Sequence, residues 1–144
     1  MKRFLLLIGL LFPILARSQP PPPDVEAIDL SLIQLLANPE KYEGRRVRLV
    51  GVAHFEFEEA VLYLHREDEA VMNSRNAIWI GGKAGYTEAD YKNLSGAFVY
   101  VEGIFTGKAH GHLGAFPGEL KDVRRLEKKR TRADYESMRR RRPK

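Results

Sequence analysis

The chain of 144 residues has no cysteine. That removes disulfides, thiolate metal ligands, cysteine nucleophiles and the lipid-bearing cysteine of a bacterial lipoprotein. There is one tryptophan and there are four histidines, so stacking and imidazole chemistry have few places to sit. No P-loop, GxGxxG, GxSxG or HExxH spacing occurs. Ser31, Ser74, Ser95 and Ser137 stand in polar or capping surroundings, which leaves a nucleophilic enzyme without a centre. The chain therefore carries no catalytic signature, and it implies no cofactor. It also lacks the ~20-residue apolar run that a membrane span needs. The longest such run, Phe4–Leu15, has 12 residues and is interrupted by Gly9 and Pro13.

That run follows Lys2 and Arg3 and precedes Ala16-Arg17-Ser18, the pattern of a secretory signal cleaved before Gln19. The expectation is a secreted or periplasmic protein and not an integral membrane protein. Residues 1–18 would be the signal and 19–27 a stiff spacer, with Pro20–Pro23 favouring polyproline II. Residues 28–127 would be the folded domain and 128–144 a basic tail.

Charge divides the chain sharply. Residues 124–144 hold 11 basic and 3 acidic residues, whereas 19–123 hold 10 basic and 16 acidic. The whole-chain pI of 9.6 thus describes the ends, and the body is acidic. Four adjacent arginines, Arg139 to Arg142, repel one another and bury nothing, so a solvated tail or a frayed helix is expected there. Such a tail suits a polyanion, whether nucleic acid, anionic lipid or an acidic partner. It also suits intermittent pairing with the chain's own acidic body.

Within the body, residues 28–38 predict a short helix. Ser31 and Gln34 have capping-box spacing, Leu32, Leu35 and Leu36 form an apolar face that Ile33 widens, and Pro39 stops the helix. Residues 40–44 read as a polar turn. Residues 45–58 then alternate with period two: Val47, Leu49, Gly51, Ala53, Phe55 and Phe57 share one face. Gly51 in mid-strand predicts a bend. With a turn at 58–59, residues 60–65 complete a hairpin. Residues 67–75 are polar with about one helical turn. Residues 77–80 form a third strand, 87–94 a helix capped by Thr87, 98–106 a fourth strand and 115–126 a fifth. The fold class is mainly β: a five-stranded OB-fold-like Greek-key barrel with short helices, preceded by an N-terminal helix. An SH3-like barrel and an α+β meander are the competing architectures.

The stretch from Ser31 to Gly51, with its Asn38-Pro39-Glu40-Lys41-Tyr42 turn, resembles the opening of OB-fold domains in small, mostly uncharacterised secreted bacterial proteins. Leu62 to Asp68, Asn76 to Trp79 and the Gly111-His112-Leu113-Gly114 loop are similar to the same family. The resemblance spans roughly residues 29–127. It implies a binding fold and carries over no catalytic residue.

Three constellations could carry function. Strand parity places Tyr63, His65 and Trp79 on the outer side of strands two and three, the usual OB ligand face, where aromatic rings stack bases or sugars. The alternative is that they pack beneath a helix or the 67–75 segment. His110 and His112 share one side of an extended chain, and the loop between strands four and five would bring His54, Glu56 and Glu58 into range of Zn²⁺ chemistry. The alternative is a glycine-flanked loop whose histidines cap backbone groups. Glu67-Asp68-Glu69, with Glu56, Glu58 and Glu59, reads as a solvated acidic face. The functional expectation is a secreted binding module whose ligand is unassigned, with a protein or peptide partner slightly preferred. Single-stranded nucleic-acid binding through the aromatic face and the tail comes second, and a histidine-based metal-binding protein third. Oligomeric state is open.

Overall fold

The computed structural model describes residues 26–56, 58–82 and 85–141. The expected signal, most of the proline-rich spacer, the inward place of Phe57 and the last three residues lie outside the described residues.

The sheet has six strands: β1 (Ile28–Asp29), β2 (Arg46–Glu56), β3 (Glu59–Tyr63), β4 (Ala77–Ile80), β5 (Phe98–Thr106) and β6 (Glu119–Lys128). Their order is β1-β2-β3-β4-β6-β5, and β5 pairs back onto β2, so the sheet closes into a ring. β4 and β6 run parallel and the other ring pairs antiparallel. The fold is mainly β and barrel-like, with short helices, as the alternation and strand order predict. Among the described residues no helix is long and apolar enough to cross a membrane.

The N-terminal helix is shorter than expected. Ile28 and Asp29 are a strand, paired in parallel with Val47 and Arg48 of β2. The cause is the cap: Ser31 is extended, and its hydroxyl accepts from Gln34 N at 3.2 Å, so α1 (Leu32–Ala37) begins after it. Asp29 is then free to pair with Arg48 at 3.2 Å. Leu32 and Leu35 are buried, while Ile33 points to solvent. Pro39 ends α1 as predicted, yet the residues after it are no simple turn. Proline is disfavoured inside a helix but suits the first helical position, and α2 (Pro39–Tyr42) starts on it.

β2 has two sets of partners. Residues 46–52 pair with β5 and residues 52–56 with β3. The change comes at Gly51, where a Cβ would sit 2.5 Å from the Tyr63 carbonyl oxygen and 2.7 Å from Leu62 Cγ. The predicted bend is therefore a close approach that no side chain could share. Inside the ring, Leu49, Ala53, Leu62, Ile78, Val101 and Leu126 form the core with neighbours from every ring strand. Tyr91 of α4 (Glu88–Leu94) packs on Phe55 at 5.0 Å, and Thr87 caps that helix as predicted. α3 (Arg66–Ala70) is the expected single turn.

The basic end is more ordered than a tail. β6 runs to Lys128, and α5 (Arg132–Arg140) follows behind a Thr131–Asp134 capping box. Its last turn holds Arg139 and Arg140, at the favourable end of a helix for cations.

Candidate functional site

The strand parity predicted for β3 and β4 is correct, but the outer face is not open. Leu62 and Ile78 point into the ring, and Val61, Tyr63 and Ala77 point the other way. These outward residues are also buried. With Val52 and Phe116 they form a second apolar layer, against which Trp79 and Phe98 are partly covered. Tyr63 is 3% exposed, so its ring has no free face on which a base could stack. Burial, with Glu59 and Glu69 nearby, pushes its hydroxyl pKa up. The imidazole of His54 meets the Tyr63 ring edge-on at 6.3 Å.

The cover is the loop between β5 and β6. Gly111 lies directly on the Trp79 indole: a Cβ there would fall 2.7 Å from the ring. Its backbone, φ 60° and ψ −155°, belongs to a region that is essentially glycine's alone. Next to it the His112 ring stacks over Trp79 at 6.4 Å and 24°. Phe116 closes the other side at 5.5 Å from the indole. The loop is pinned on itself, since Phe116 N donates to the His110 carbonyl at 3.2 Å and His110 Nδ1 donates to the Phe116 carbonyl at 2.9 Å. At its tip Leu113 is 90% exposed and adopts φ 55°.

The predicted site residues therefore separate. Tyr63 and Trp79 share the outer layer, while His65 is exposed at the start of α3. His110 and His112 are neighbours in the loop, but they do different work. His110 braces the loop backbone, and its carbonyl partner fixes the proton on Nδ1. His112 covers an aromatic ring. Among the described residues no group of three His, Asp or Glu is placed to hold a metal ion. The metal reading of His110 and His112 is left without further ligands, and the predicted capping role fits His110. His54 is surrounded by glutamates, with Nδ1 3.2 Å from Glu69 and Nε2 3.8 Å from Glu56 and 3.9 Å from Glu59. Glu58 is not among them.

The acidic run at 67–69 is only partly a solvated face. Asp68 is buried and accepts from Asn76 at 2.8 Å and from Asn73 at 2.9 Å. Those amides, Asn76 first, hold its carboxyl below the usual carboxylate value.

Phe116, expected near the start of a strand, lies in the loop before β6, and neither it nor Gly111 is recognisable from sequence as a packing residue. Each belongs to a segment with no period, and the one available signal was the glycine density of 107–118. Nor does the sequence mark Arg46, which is 5% exposed and ion-pairs with Asp122. Asp122 sits at φ 46° in an irregularity of β6 opposite Gly103, which opens the way for that guanidinium.

The fold is similar to that of a DUF3299 family protein from Pseudomonas aeruginosa PAO1, known from a crystal structure. The TM-score is 0.50 at 12% identity, over 74% of this chain and 98% of that one. At that identity the likeness concerns the β-rich fold alone. No family model matches the chain, and no curated protein matches it.

Proposed function

We propose that this is an exported binding module on an OB-like barrel, with a protein or peptide partner engaged through the β5–β6 loop. The OB reading rests on strand order. Counting β2 to β6 as strands one to five, the ring pairs 1-2-3-5-4-1, with three and five parallel. The export reading rests on the N-terminal sequence pattern alone.

One observation carries the choice of partner. The outer face of β3 and β4, where an OB-fold would stack bases, is filled by the chain's own Gly111, His112 and Phe116. What the molecule offers instead is the loop tip. Leu113 holds a large apolar side chain in water, in a left-handed conformation that costs about 1–2 kcal/mol. Strain of this kind collects where ligands are met. The acidic body disfavours a phosphate backbone and favours basic residues around an apolar anchor in the partner.

Nucleic-acid binding keeps one supporting observation. α5 presents Arg132, Arg139 and Arg140 in solvent beside the exposed Tyr135. The two readings separate in one experiment, because Trp79 is the sole tryptophan and reports on the loop. A displayed peptide library is panned on the protein, and the recovered peptides are measured against Leu113→Asp. Single-stranded oligonucleotide is titrated in parallel at low and high salt. We expect peptides whose affinity falls at least tenfold on Leu113→Asp, with no saturable change of Trp79 emission on adding oligonucleotide. Peptides indifferent to Leu113→Asp, or an oligonucleotide that quenches Trp79, would overturn the reading.

A further inference from the structure

A second concave surface lies where the turn from α4 into β5 meets the root of α5. It is a cleft of about 280 Å³, and its lining includes Arg66, Asn93, Ser95, Lys128, Lys129 and Asp134. Three cations and one carboxylate line it, although the body of the chain is acidic, and of the three the Lys129 ammonium lies over the Tyr100 ring. A local reversal of charge sign in a concave site focuses the field on a ligand of opposite charge.

The floor of the cleft is rigid. Gly96 N donates to the Ala53 carbonyl at 2.7 Å, and Ala53 N donates to the Ala97 carbonyl at 2.9 Å. Both bonds tie the turn to β2. Ser95 Oγ accepts from Phe55 N at 2.9 Å. Arg66 is held in place from two sides, with its Nη1 donating to the Gly96 carbonyl at 2.7 Å and its guanidinium 5.0 Å above the Phe98 ring.

A count of donors and acceptors then defines the chemistry. Several acceptors are engaged: the Gly96 carbonyl by Arg66, the Phe98 carbonyl by Lys129 N, and one oxygen of Asp134, Oδ2, by the Thr131 N–H and hydroxyl. The donors are not. Arg66 uses one of its five N–H groups. The Ser95 hydroxyl proton is unassigned because that oxygen acts as an acceptor. Among the described residues the Lys128 ammonium and the Asn93 amide make no side-chain hydrogen bond, and Lys128 lies in the field of the Asp134 carboxylate.

We propose that this cleft binds an oxyanion group, a carboxylate or a phosphoryl, with Arg66 and Lys128 supplying charge and Asn93 and Ser95 supplying neutral donors. A fixed guanidinium fork suits planar carboxylate and phosphoryl oxygens alike, and Lys128 adds a point charge. The volume admits a small anion or the charged end of a larger ligand. The site uses no residue of the β5–β6 loop, so it stands or falls independently of the protein-binding reading.

The test is an amide-shift titration of the isotope-labelled full chain with phosphate and, separately, with acetate. Chloride at matched ionic strength is the reference. Saturable shifts at Gly96, Ala97, Phe98 and Lys128 are expected, absent with chloride. The stronger of the two probes identifies the phosphoryl or the carboxylate source. Arg66→Gln should weaken binding at least tenfold. Lys128→Gln, which keeps the backbone pairing of β6 with Val99, should weaken it about threefold or more, while Lys41→Gln on α2 leaves it unchanged. Shifts shared with chloride, shifts confined to residues 139–141, or affinity indifferent to Lys128→Gln would each overturn the proposal.

Discussion

The two faces of the β3–β4 pair are both covered, by different means. The inner face is packed by regular elements, with Leu62 and Ile78 in one core with residues from all round the ring and Leu32 and Leu35 of α1. The outer face is packed by one irregular loop, whose closest contacts to Trp79 come from Gly111, His112 and Phe116. The inner layer is held by many elements at once and cannot be released piecemeal. The outer layer depends on a single segment, which can be loosened while the ring stays folded.

The largest effect should come from the inner layer. Leu62→Ala leaves a void that the surrounding strands cannot close, and a loss of about 3 kcal/mol is expected in urea unfolding. Phe116→Ala should cost less, about 2 kcal/mol, because the loop can settle into the space left by a ring at its margin. Trp79 emission in that variant should move to the red in the native state. A cost equal to that of Leu62→Ala would show that the two layers are one cooperative unit.

Gly111→Ala should cost about 1–2 kcal/mol, through a strained backbone and a clash with the indole. Its native state should show faster amide exchange over 107–118 and unchanged exchange in β2 and β5. Protection lost throughout the ring would erase the distinction between the faces.

Asp68 gives an effect that is lost in acid. Its folded carboxyl titrates below the ordinary value of 3.8, chiefly through the Asn76 and Asn73 amides. A depressed folded pKa contributes fully above the unfolded value and is lost as pH falls through the folded one. Urea midpoints of the wild type and Asp68→Asn should therefore differ near neutral pH and converge as pH falls below the ordinary carboxylate value of 3.8. A gap that persists in acid would assign the role of Asp68 to shape and not to charge.

Much of the inner layer was legible in the sequence. The alternation Val47, Leu49, Ala53, Phe55 is a local pattern, and it fixes which face of β2 turns inward. The Ser31 and Thr87 caps are local too, since each box closes within four residues. The outer layer was not legible, because alternation marks the second face as outward without saying whether anything lies upon it. Tyr63 and Trp79 have the pattern of exposed aromatics, and what covers them comes from a segment more than 30 residues away. Arg46 shows the same limit. Its parity is that of a solvent residue, and it is buried because Asp122 reaches it from β6, beyond the neighbouring strand.

Ring closure has a consequence for how copies of this chain meet one another. A strand with a bare edge offers a row of unpaired amides and carbonyls, the template from which sheet-to-sheet aggregation grows. Here each of the five ring strands has a strand neighbour on either side, and β1 covers a further stretch of β2. Among the described residues β1 is the sheet's one terminal strand, two residues long, with Asp29 turned to solvent. A molecule built this way resists indiscriminate self-association even when crowded, and its encounters are left to loops and side chains.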